Sequence, residues 1–171
     1  MQVNSQNHIL KNSYKYVTLH YTMSCATYKP VDIPMDYNTC IRMIFFLVQH
    51  IETLKLEGRG VLSIHISEVL ENVDGDFILN PKEDYLKCDS DGYLFLDRPF
   101  TFEDTYMAPE LKTITQLPAK LYYTCALYSL QSLALSVLQQ SNLSSLYPTK
   151  LYYVLERTSV SKAEDRLFLF V

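Results

Sequence analysis

The longest uncharged stretch of the chain lies between Lys120 and Lys150. Within it, Leu121–Leu138 reads LYYTCALYSLQSLALSVL, apolar or small at nearly every position and rich in strong helix formers. A helix with no polar face is either a membrane span or the buried axis of a globular domain. Length alone admits a span, because about 18 uncharged residues reach the threshold. Thr124, Ser129, Gln131, Ser132 and Ser136 argue for the buried axis, and no Lys or Arg cluster flanks either end. The pattern therefore predicts a buried helix at about 121–139. A second helix is predicted over Asp36–Leu56, where Cys40, Ile41, Ile44, Phe45, Leu47, Val48, Ile51 and Leu54 recur at helical spacing before Gly58 and Gly60.

The remaining segments are shorter. Tyr14–Tyr21 (YKYVTLHY) alternates loosely and predicts a strand. Pro30 and Pro34 keep Met23–Pro34 irregular. Val61–Leu70 begins extended and closes with a helical turn. Asp74-Gly75 and Asp91-Gly92 are turn signals, each beside a short strand, Asp76–Leu79 and YLFLD. Phe100–Tyr106 is an aromatic loop, and Met107–Leu111 one turn of helix. Thr149–Arg157 is amphipathic, and Arg166–Val171 is an apolar tail that packs on the body. This order predicts a mainly α fold with a small β patch. It forms one domain over residues 1–171, divided into an N-terminal tail (1–13), a strand and loop (14–34) and a helical lobe (35–171).

Composition narrows the function classes. With 171 residues, 48% apolar and 20% charged, the chain is long enough for one folded core. Fourteen Tyr and no Trp favour half-buried rings with wet hydroxyls. A net charge of −4 without a basic run predicts no nucleic-acid face. The N-terminus has no basic segment followed by an apolar one, so no signal peptide is expected and the location is read as cytoplasmic. Cys25, Cys40, Cys88 and Cys125 form no close pair, and His8, His20 and His50 are scattered, so no metal site is expected.

At Tyr106–Leu111 the run YMAPEL resembles the A-P-E motif that closes the activation loop of protein kinases. The resemblance extends in both directions. YKYVTLHY is similar to the strand entering the kinase hinge, and Asp36–Leu56 to the long helix before the catalytic loop. VLSIHISEVL stands where H-R-D-x-x-x-x-N belongs, and Gly92–Phe100 where the strand into D-F-G belongs. LYSLQSLA resembles the D-x-W-S-x-G pattern of the large lobe's central helix. The C-terminal run YVLERTSVSKAEDRLFLF is similar to the late segment that carries an Arg. The resemblance implies a kinase large lobe (C-terminal lobe), from the hinge onward, in which Glu110 pairs with Arg166 in a largely buried contact. Truncated kinase-like chains encoded by large DNA viruses are similar.

The chemistry of phosphoryl transfer is missing from the matching positions. A kinase needs a Gly-rich loop, a small-lobe Lys, a catalytic Asp, and an Asn and an Asp for magnesium. The four glycines, Gly58, Gly60, Gly75 and Gly92, all follow the hinge-like strand. His65 stands where the catalytic Asp belongs, and Asp97-Arg98-Pro99 replaces D-F-G. His65 and Asp97 are thus the candidates for residual acid–base or metal chemistry, with Glu68 or Asp97 as the partner of His65. Lys82, Glu83 and Asp84 read as a solvated loop. The resemblance then implies a catalytically degenerate pseudokinase without a cofactor, acting as a binding or scaffold protein. A structural role in a larger assembly fits as well, including a virus particle or its assembly site. Its protein partner would meet the apolar face that a small lobe covers, through Tyr14, Tyr16, Tyr21, Phe100, Phe102 and Tyr106. Self-association through the strand edge of Tyr14–Tyr21 is a further expectation. The alternatives are a phosphotransferase fragment completed by a partner's small lobe, a decoy that binds a kinase or its regulators, and a membrane protein spanning at Leu121–Leu138.

Overall fold

The computed structural model describes residues 28–143, Val160 and 162–166. The hinge-like strand with Tyr14, Tyr16 and Tyr21, residues 23–27 of the loop before Pro34, the segment Thr149–Arg157 expected as a helix and the tail beyond Arg166 lie outside the described residues.

Helix α1 spans Tyr37–Leu56. Asp36 caps it, its carboxylate accepting from the Thr39 N–H at 3.1 Å. Cys40, Met43, Ile44, Leu47, Val48, Ile51 and Leu54 form its buried stripe. The helix stops at Gly58, whose φ of +73° is open to glycine and strained for other residues. Helix α2 spans Cys125–Gln140 and packs against α1. It buries Cys125, Ala126, Leu127, Ser129, Leu130, Leu133, Ala134, Val137 and Leu138.

The rest is β structure. Strands β1 (Lys29–Pro30), β3 (Val69–Glu71) and β4 (Phe77–Leu79) form an antiparallel sheet in the order β1-β3-β4. Strands β2 (Arg59–Gly60), β5 (Leu86–Cys88), β6 (Tyr93–Leu96) and β7 (Ala119–Tyr122) form a second antiparallel sheet in the order β2-β5-β6-β7. Both Asp-Gly signals mark hairpins, and each hairpin is organised by one side chain. Asn72 Oδ1 accepts from the N–H groups of Asp74 and Asp76, at 3.0 and 2.8 Å. Asp89 Oδ1 accepts from Asp91 and Tyr93, at 3.1 and 2.8 Å.

The mainly α expectation is therefore wrong. Among the described residues there are two α-helices and two antiparallel sheets of three and four strands, a mixed α and β architecture in place of a kinase C-lobe-like helical one. The physical reason is strand length. Strands of two to four residues bury alternate side chains without producing a readable period, so their sequences pass for loops. The 121–139 axis is also corrected at its start. Leu121 and Tyr122 belong to β7, with Leu121 facing the core and Tyr122 the other side, and the helix begins at Cys125. Pro30 is tolerated in a strand because β1 is a sheet edge.

Two cores result. The first lies between α1, α2 and the three-stranded sheet, with Phe77, Leu79, Val69 and Ile64 inside. The second lies under the four-stranded sheet, where Leu86, Leu94, Leu96 and Leu121 meet Met107, Ala108, Leu111 and Cys125. Ser129 joins the extended segment at Ile64 to α2. Its hydroxyl accepts from Ile64 N–H at 2.7 Å and donates to Ile64 C=O at 3.2 Å. No described helix is long and apolar enough to cross a membrane.

Candidate functional site

His65 follows buried Ile64 and opens a 3-10 turn over Ile66–Glu68. Its backbone N–H donates to Glu68 Oε2 at 3.1 Å. That carboxylate also takes the ammonium of Lys82, so Lys82 is tied back to the turn. The imidazole faces the aromatic loop. Its Nε2 lies 3.4 Å from Glu103 Oε2, and its ring packs on Tyr106 with centroids 4.7 Å apart. The acidic partner of the His65 ring is thus Glu103. Glu68 serves the backbone, and Asp97 takes no part. Asp97 is exposed just beyond β6 and makes no hydrogen bond or ion pair among the described residues. No group of three or more His, Cys, Asp or Glu that could hold a metal ion occurs among the described residues.

Beside this cluster lies a groove of about 160 Å³, lined by Gly60–Ser63, Lys82, Asp84, Tyr85, Leu86 and Arg98. Pockets for drug-sized ligands run to about 300–1,000 Å³, so this groove is small by comparison. Arg98 spans its rim by donating to Asp84 C=O at 2.6 Å.

Glu110 and Arg166 meet across the other side of the aromatic loop. Ala108 leads into a 3-10 turn over Pro109–Thr113 that presents Glu110. Arg166 donates Nη1 to Oε1 at 2.5 Å and Nη2 to Oε2 at 2.7 Å, a two-pronged contact. Its side chain is fully buried, whereas that of Glu110 keeps 22% exposure. Arg166 also donates Nε to Val160 C=O at 2.7 Å and covers the Tyr128 ring at 5.2 Å. Thr124 reinforces the same segment by donating its hydroxyl to Ala163 C=O at 2.6 Å.

Phe100 and Phe102 are half-buried against the second core, and Lys112 caps Phe102 at 5.6 Å. They are packing residues more than open contact surface. Tyr106 stays partly exposed beside His65. Burial pushes the thiol of Cys40 up to about 11 and that of Cys125 to about 12, where Glu110 adds to the rise and Arg166 opposes it. Such thiols are poor nucleophiles at neutral pH.

Sequence reasoning misses Glu103 and the role of Lys82. The sequence places Lys82 in a solvated loop, whereas it is half-buried on Glu68. No local spacing links either residue to His65, because loops bring them together. Ser129 leaves one readable signal, a hydroxyl on the buried face of a Leu-rich helix.

Comparison with known proteins returned no matching family model and no matching curated protein.

Proposed function

We propose that this chain is a non-catalytic, kinase-like binding protein that serves as a scaffold or structural component of a larger assembly. One observation carries the reading. Each ionisable group around His65 that phosphoryl transfer would call on is occupied by a neighbour or turned to solvent. His65 is on Glu103, Lys82 is on Glu68, and Asp97 is exposed away from both. Phosphoryl transfer needs unspent cations and metal-binding carboxylates aimed at one point. The Glu110–Arg166 contact implied by the A-P-E resemblance is present on the other side of the aromatic loop. A tie retained without its chemistry suits a role in holding shape for a protein partner. The face around Tyr106 and the segment carrying Tyr14, Tyr16 and Tyr21 is the proposed contact.

Thermal unfolding with and without Mg-ATP tests the reading. Ligand at about 100 times its Kd stabilises by roughly 2.7 kcal/mol, a rise of about 5–10 °C for a domain of this size. The expected result is no rise and no phosphoryl transfer to a generic acceptor. A clear rise that disappears in Asp97→Ala would overturn it in favour of a partner-completed phosphotransferase.

A further inference from the structure

The outer face of the four-stranded sheet carries a row of residues that the linear sequence conceals. The register sets Arg59 opposite Lys87, Lys87 opposite Phe95, and Phe95 opposite Lys120. The row crosses all four strands, about 14 Å at the usual strand spacing. All four residues are exposed, and Phe95, at 38%, is among the few large apolar side chains left open. Two residues along the strands, Tyr93 pairs with Tyr122, their rings 5.4 Å apart. The opposite face of the sheet is the second core, so this face points away from the body. Among the described residues, no apolar cluster covers it.

We propose that this face binds single-stranded nucleic acid. Such strands are held by cations that follow the phosphates and by aromatic rings on which bases stack. The row supplies two lysines flanking the partly exposed Phe95 ring and an arginine one strand further on, with a tyrosine pair beside it. The net charge of −4 predicts no such face, but net charge averages the molecule. Here the cations come from three different strands, so no basic run appears in the sequence. Two of the three cations have a neighbouring carboxylate, one of them the half-buried Asp89. Arg59 meets Glu57, and Lys120 lies 3.7 Å from Asp89 while its ammonium sits 4.6 Å over the Phe95 ring. The Arg59–Glu57 pair is exposed on both sides, and exposed pairs are weak and readily exchanged for a phosphate. Lys87 makes no ion pair among the described residues and is the cation most open to a ligand. The inference stands on the sheet register alone, independent of the kinase-like reading.

The experiment is fluorescence anisotropy of the full chain with a labelled twelve-residue oligothymidylate, its duplex with oligoadenylate, and polyglutamate as competitor. The single strand should bind at low salt with a slope of log K against log salt near −2, about 0.7 per phosphate contact. Lys87→Glu should weaken binding at least about tenfold. Phe95→Ala should weaken it at least about fivefold, and Phe95→Trp should restore it. Circular dichroism melting checks that these exposed-site variants fold. Equal affinity for the duplex, full competition by polyglutamate, or Phe95→Ala binding like the parent would each overturn the proposal. Absence of binding at about 20 mM salt, where phosphate contacts are strongest, would also overturn it.

Discussion

Glu110→Ala leaves a guanidinium of zero exposure without its carboxylate. Breaking one side of a buried ion pair costs about 3–5 kcal/mol, because the surviving charge stays desolvated. Two features pull the value to the lower end. Glu110 is itself partly exposed, so water can enter the volume its carboxylate vacates, and Arg166 keeps the carbonyl of Val160 and the ring of Tyr128. About 3 kcal/mol is the working figure, equal to a fall in Tm of roughly 6–12 °C for a domain of this length. Arg166→Met should cost less than Glu110→Ala, since it leaves only a half-open carboxylate. The double variant Glu110→Ala, Arg166→Met removes both charges and should be more stable than Glu110→Ala alone. This follows because no desolvated charge is then left without its partner. Denaturant unfolding of the parent and the three variants gives the coupling energy directly. The reasoning fails if Glu110→Ala melts within about 2 °C of the parent, or if the two substitutions simply add.

Ser129→Ala removes the partner of Ile64 N–H at a site with no exposed surface, at a cost of about 1–3 kcal/mol in urea unfolding; an unchanged midpoint would show that Ile64 finds another partner. A methyl at Gly60 would lie 2.4 Å from Leu94 Cδ2, inside the second core, so Gly60→Ala should destabilise by about 1–3 kcal/mol. A midpoint equal to the parent's would mean that Leu94 moves freely. His50 is held down from 6.5 to about 4, chiefly by burial, with Glu57 working against the fall and Arg59 adding to it. Its folded value lies below its unfolded one, so the unfolded chain binds the extra proton between them and stability drops as pH falls from about 6.5 towards 4. Among the described residues His50 Nε2 has no hydrogen-bond partner, so His50→Leu should flatten that part of the pH profile; melting curves at about pH 7 and 5 that shift in parallel for both proteins would refute this.

What is legible in the sequence follows from the range of the forces involved. Helix α1 can be read because seven buried residues repeat at one period and Asp36 caps the run. The two hairpins can be placed because Asp-Gly fixes a turn within a few residues. The sheets cannot, because their strands hold two to four residues and the pairing partners are set by loops. Leu121 and Tyr122 are the sharpest case. Both sit in a run of helix formers, but alternation across β7 puts one in the core and one outside, and this wins over propensity. The site divides in the same way. Glu110 and Arg166 can be linked only through a resemblance, since nothing local relates them. His65 can be singled out, but its partner Glu103 cannot.

The mixed fold and the spent charges bear on the same question. A helical lobe would have left its apolar surface for a partner to cover. Here the short strands bury apolar side chains in a second core that takes up Phe100 and Phe102. The partner proposed above would therefore meet polar and aromatic groups. The residues placed to meet it are on sheet faces and loop tips. They include Tyr106 beside the His65–Glu103 pair, and the Lys87–Phe95–Lys120 row on the far side of the four-stranded sheet. Contacts built from such groups are directional and sensitive to salt. Salt dependence of any complex that this chain forms is thus the property that separates these surfaces from an apolar one.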